Sequence, residues 1–144
     1  MVEKLRRMLE IAERAGCRMS LEMLPGSAWP GIHGFLRLAA DVGSATLGYN
    51  FDTGHAWACK ENLYLIPAKL GPRILGTHLC DNFGNENLSL RPGAGSIDWP
   101  RLIAALTACG YNGSWDVEII CKPEDASVEY GGGRKLIENL LNQS

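Results

Sequence analysis

The sequence predicts an α/β domain whose parallel sheet is built from successive βαβ units, and three observations carry that prediction. Helical and strand periodicities alternate along the chain, with strand starts roughly thirty to forty residues apart, the pattern of right-handed parallel crossovers. Four short apolar runs each finish on a carboxylate or an imidazole, at Glu22, Asp52, His78 and Glu118. Finally, 144 residues with 46% hydrophobic and 21% charged content suffice for one domain with a real core, and no linker or low-complexity segment divides them.

Each element has its own local reason. Residues 3–15 place Leu5, Met8, Leu9, Ile11 and Ala12 at helical spacing, with Gly16 as a stop. The mixed charges of Glu3, Lys4, Arg6, Arg7 and Glu10 make this an amphipathic helix and not a signal peptide. A strand at 18–23 follows, closed by Pro25-Gly26. Ile32, Phe35, Leu36, Leu38, Ala39 and Val42 then define a second helix ending at Gly43, and residues 46–52 a second strand. A third helix is expected over 61–70, interrupted by Pro67, before a strand at 73–79.

Residues 81–96 are rich in Asn, Gly and Pro and form a loop too long to be a mere connector. Asp98 caps a helix that runs through Cys109 and buries Trp99, Leu102, Ile103 and Leu106, with Gly110 as its stop. A fourth strand covers 114–120. Gly131–Gly133 then breaks the chain before a short final helix, 134–142. The expected content is four strands and four to five helices in a single domain, 1–144. A closed (β/α)₈ barrel takes roughly 250 residues, so four strands are half of one. An open four-stranded piece leaves two unpaired edges, so either a second copy (a homodimer) or a partner completes the barrel, or the fold is a small open sheet, or the chain is a truncated form of something larger.

Composition narrows the function classes. A formal charge of −2 gives no electrostatic footprint for nucleic acid or an anionic membrane surface. No apolar run is long enough to cross a bilayer. The five cysteines (Cys17, Cys59, Cys80, Cys109 and Cys121) contain no C-x-x-C pair, which favours reduced thiols in a cytoplasmic protein and gives no support to a zinc knuckle.

In α/β proteins ligands bind at the carboxyl ends of parallel strands, and Glu22, Asp52, His78 and Glu118 all fall there. Two Glu, one Asp and one His converging in a concave site are a divalent-metal ligand set. The Thr53-Gly54 turn swings His55 back over the same end. Cys80 is read as a packed thiol, since no base or cation accompanies it. His33 is read as ordinary surface, and Trp99 and Trp115 as core. Trp29 and Trp57 fall in loops past strand ends, where they could line a pocket by stacking on an apolar ligand face. Asp81 and Asn82 either orient His78 or hold the loop.

Five segments follow one another in a family order: Leu21-Glu22; Phe51-Asp-Thr-Gly-His55; Thr77-His-Leu-Cys-Asp-Asn82; Arg91-Pro-Gly-Ala-Gly-Ser-Ile-Asp-Trp99; and Gly110-Tyr-Asn-Gly-Ser-Trp-Asp-Val-Glu118. Together they resemble the second half of the xylose-isomerase-like TIM barrels, the sugar phosphate isomerase/epimerase group. The resemblance implies the C-terminal half of such a barrel. It also implies one divalent metal ion on Glu22, Asp52, His78 and Glu118, manganese in the first place, with magnesium, cobalt or zinc as alternatives. Glu22 and Glu118 would be the acid/base pair that moves a proton beside a sugar carbonyl, through an enediolate. His55 and Arg91 would bind the sugar or sugar phosphate. Ala94 stands where family members often carry Glu, and the family's first four strands have no counterpart. The same strand ends also resemble the endonuclease IV type of abasic-site nuclease, but residues 82–99 lack the further histidine that chemistry needs. A half-barrel without catalysis is the third expectation.

Overall fold

The computed structural model describes residues 1–143, with four parallel strands in one sheet and six α-helices. In chain order these are α1 (Val2–Arg14), β1 (Met19–Glu22), α2 (Gly31–Val42), β2 (Leu47–Asp52), α3 (Thr53–Ala58), α4 (Ile66–Leu70), β3 (Ile74–Leu79), α5 (Trp99–Ala108), β4 (Asp116–Val117) and α6 (Ala126–Leu141). The strands lie side by side in sequence order, every pair parallel, as chained βαβ units require.

Strand alternation sorts the two faces of this sheet. Leu47, Tyr49 and Phe51 of β2 are buried on the helix side, where they join Leu9, Phe35, Leu38, Leu63, Leu102 and Leu106 in one core cluster. The Phe35 and Tyr49 rings meet edge to face with centroids 4.9 Å apart, the arrangement their quadrupoles favour. The opposite face carries Ser20, Glu22, Gly48, Asn50, Asp52, Gly76 and His78, small or polar side chains with one apolar exception. A bulge between β2 and β3 at Tyr49/Asn50 turns Leu75 onto this face, and a side chain at Gly48 would strike it. Register then sets the chemistry: Glu22 pairs with Asn50, Asp52 with His78, and His78 with Asp116.

Four elements differ from their sequence expectation. Thr53-Gly54 opens a short helix, α3, because the Asp52 side chain accepts a hydrogen bond from the His55 amide (2.6 Å) and caps it; this helix raises the count to six. Residues 63–65 form a 3₁₀ turn ahead of α4, so the third expected helix is shorter and tighter than 61–70. The ladder of β4 covers only Asp116–Val117, for its far edge has no neighbour and Ile120 N–H donates instead to the Ser89 carbonyl (2.9 Å). The glycine run does not break the last helix. A Cβ at Gly133 would lie 2.9 Å from Pro92 and 3.3 Å from Val117, so glycine lets α6 pack closely on the sheet.

Candidate functional site

The strand ends deliver their side chains to one place. Donor atoms of Glu22, Asp52, His78 and Glu118 all lie within 4.8 Å of one another. His78 Nδ1 stands 2.7 Å from Glu22 Oε2 and 2.7 Å from Glu118 Oε2. Neither oxygen lies where the ring N–H would point, so this buried nitrogen has no hydrogen-bond partner among the described residues. His55 behaves alike: Nδ1 is 3.2 Å from Glu22 Oε1 and 3.6 Å from Asp52 Oδ2, again without a hydrogen bond.

Carboxylates this close repel one another by roughly 3 kcal/mol per pair at an effective dielectric of about 20. Imidazole nitrogens aimed at their midst without hydrogen bonds are the geometry of donors sharing a cation. An octahedral ion with ligands at about 2.1 Å needs ligand–ligand separations of about 3.0 and 4.2 Å, within the observed span. The donor set, carboxylate oxygen plus imidazole, suits a divalent ion, so the residues present fit such an ion.

Burial sets the electrostatics. Asp52 is almost fully enclosed, and desolvation pushes its carboxyl up to about 6. The His55 amide and imidazole pull it down, and the charges of Glu22 and Glu118 push it further up. The Cys80 thiol is fully buried 3.7 Å from Asp52 Oδ1, and burial raises it to about 12, which makes it an inert packed group.

Around the donors the chain is tied together. The Thr53 hydroxyl donates to the Cys80 carbonyl (2.6 Å) and accepts from the Cys80 amide (3.0 Å), clamping β2 to the end of β3. Asp81 is the hub of the 81–98 loop. Its carboxylate accepts from the amides of Asn82, Gly93 and Ile97 and from the Trp99 indole, and its backbone pairs with Leu90. Asp81 therefore holds the loop, and among the described residues none of these hydrogen bonds goes to His78. The Asn82 side chain donates to the Gly54 carbonyl (2.9 Å), fixing the loop to α3.

The other sequence candidates fall as follows. Arg91 pairs with α6, its Nε 3.2 Å from Glu129 Oε2. Trp57 belongs to α3 and not to a loop, and its indole donates to Ser96 Oγ (3.0 Å). Trp29 is half-buried against the core ahead of α2, and His33 is exposed on α2. Trp99 is buried, and Trp115 packs edge-on against Tyr111. Sequence reasoning missed Asn50, whose side-chain amide donates to Glu22 Oε2 (3.0 Å). The signal was available, since Asn50 precedes Asp52 by two and shares its face.

Parallel strands feeding acidic and imidazole donors to their carboxyl ends match the (β/α) barrel architecture, in which sites lie at that end. The chain belongs to the xylose isomerase-like TIM barrel family, whose model matches residues 1–139. It is 30% identical over 117 residues to the protein MJ1311 of Methanocaldococcus jannaschii, covering 76% of this chain and 39% of that protein. Among solved structures it resembles a D-tagatose 3-epimerase-like protein at 26% identity, with a TM-score of 0.80 over 99% of this chain and 55% of the other. The D-psicose 3-epimerase of Clostridium cellulolyticum H10 matches in fold at 18% identity, with a TM-score of 0.83 over 97% and 55%. The chain thus spans little more than half the length of these structures.

No helix among the described residues is long and apolar enough to cross a membrane.

Proposed function

We propose that this chain is the metal-bearing half of a sugar or sugar-phosphate isomerase or epimerase. Glu22, Asp52, His78 and Glu118 hold one divalent ion, manganese in the first place. The observation that carries this reading is the convergence of those four donors within 4.8 Å, with the His78 nitrogen lacking any hydrogen bond. The ion, when bound, supplies electrophilic stabilisation to a carbonyl and its neighbouring hydroxyl.

The chain's own residues do the rest. Glu22 and Glu118 approach the His78 nitrogen from two different strands, β1 and the end of β4. One carboxylate removes the proton beside the carbonyl and the other returns it, passing through an enediolate. Glu118 is about half exposed and Glu22 less so, so Glu118 exchanges its proton with water more readily. His55, beside Glu22 and Asp52, hydrogen-bonds a sugar oxygen. Arg91 takes a more distant hydroxyl or a phosphate, which requires its guanidinium to exchange Glu129 for that group.

The far wall of the sugar site comes from outside these four strands, from a second copy or a partner that completes the barrel. Support for this comes from the unpaired sheet edges and from the 53–55% coverage of the epimerase structures. The test is calorimetric titration of chelator-treated protein with Mn²⁺, with Glu118→Gln as control, followed by epimerase assays on a panel of ketoses. One ion per chain, weakened in the variant, supports the reading. A folded protein that takes up no Mn²⁺ refutes it.

A further inference from the structure

Resting on that reading, we infer that Asn50 is a positioning residue for Glu22, held in a slot that Gly76 keeps open. The Asn50 Nδ2 donates to Glu22 Oε2 (3.0 Å), the oxygen that also faces His78 Nδ1 at 2.7 Å. Glu22 Oε1 faces His55 Nδ1 at 3.2 Å. A glutamate that serves as both ligand and acid/base must give one oxygen to the ion and keep the other toward substrate. Asn50 selects which is which, because its N–H groups bond one oxygen and leave the other to His55. Outer hydrogen bonds of this kind orient ligands and sustain affinity.

The second observation is independent. Gly76 is the register partner of Asn50 across β2 and β3. A Cβ there would come within 2.8 Å of Asn50 Oδ1, and the amide has to shift to admit it. Alanine is ordinarily as good as glycine or better in a strand, so local propensity gives no reason for glycine here. The reason is the amide beside it.

The experiment is a double-mutant cycle on Asn50→Ala and Gly76→Ala, read by Mn²⁺ affinity and by thermal melting of the chelator-treated proteins. Both single variants should bind Mn²⁺ roughly 10-fold more weakly than the parent. The double variant should be no weaker than Asn50→Ala alone, because Gly76 acts only through the amide. Without metal, Gly76→Ala should melt at or above the parent temperature. A purely structural role moves the melting temperatures and leaves the affinities together. Unchanged affinities, or losses that multiply in the double variant, overturn the inference.

A parent protein that binds no Mn²⁺ refutes the metal reading, and the metal-free protein then decides for Asn50. Its side-chain amide ¹H–¹⁵N signals should move when Glu22→Gln is introduced. Signals that stay put overturn the positioning role whatever the metal does.

Discussion

Replacing Thr53 by valine tests the clamp that joins the two central strands, which carry Asp52 and His78. Valine keeps the shape of the buried side chain and removes its hydroxyl. That hydroxyl donates to the Cys80 carbonyl at 2.6 Å and accepts from the Cys80 amide at 3.0 Å. Both backbone groups would be left unpaired next to a side chain that is 0% exposed. Each such group costs roughly 1–3 kcal/mol, offset in part by the hydroxyl no longer needing burial, so the net loss is about 3 kcal/mol. For a domain near this size 1 kcal/mol moves the melting temperature by about 3–4 °C, which predicts a fall of about 10 °C by circular dichroism. Thr53→Ser keeps the hydroxyl and loses one methyl, at a cost of about 1 kcal/mol. Mn²⁺ affinity should follow the same order, since Asp52 adjoins the clamp on one side and His78 lies two residues before it on the other. If Thr53→Val melts within about 2 °C of the parent, or if serine and valine are equally damaging, the clamp is not what holds these strand ends.

Three further outcomes are expected. Asp52 titrates near 6 in the folded, metal-free chain against an ordinary 3.8. The unfolded carboxyl therefore ionises first, and the metal-free fold loses stability as pH rises from about 4 to 6, a cost that persists above that window. Added Mn²⁺ should consequently raise the melting temperature more at pH 7.5 than at pH 5; equal gains would exclude the effect. Gly95→Ala would place a Cβ 2.3 Å from Asp81 Oδ1 and 2.4 Å from the Asn82 carbonyl, so limited proteolysis should open the 81–98 loop in this variant and spare the parent. Alkylation under native conditions should modify the exposed Cys17 quickly and leave Cys80 untouched until the protein unfolds; early labelling of Cys80 would contradict its burial.

The parallel order, the strand ends and the residues brought together there were legible because they rest on local signals. Period-two alternation places Glu22, Asp52 and His78 on one face, and successive βαβ units admit one strand order. What escaped depends on contacts distant in sequence. Gly131–Gly133 looks like a helix break until Pro92 and Val117 are known to press against it, which makes glycine a packing residue. The Thr53-Gly54 turn hides a helix whose signal, an Asp cap three residues before His55, was readable by capping rules. Asp81 reads from sequence either as orienting His78 or as holding the loop, because the four hydrogen-bond donors that decide it are spread from Asn82 to Trp99. Arg91 could be assigned from motif order, but its pairing with Glu129 lies beyond any local pattern.

The knot around Asp81 has a consequence for inheritance. The 81–98 loop is tied to itself and to α3 by six side-chain hydrogen bonds within residues 54–99, and further to Ile120 and to Glu129 on α6. The donors sit on consecutive strands of the same chain. The donor cluster and the loop therefore belong to one folded unit, whatever stands opposite. On the proposed reading, a change of the opposite half would alter which sugar is admitted and leave the donor cluster as it is, so substrate range and reaction type would vary as separate traits.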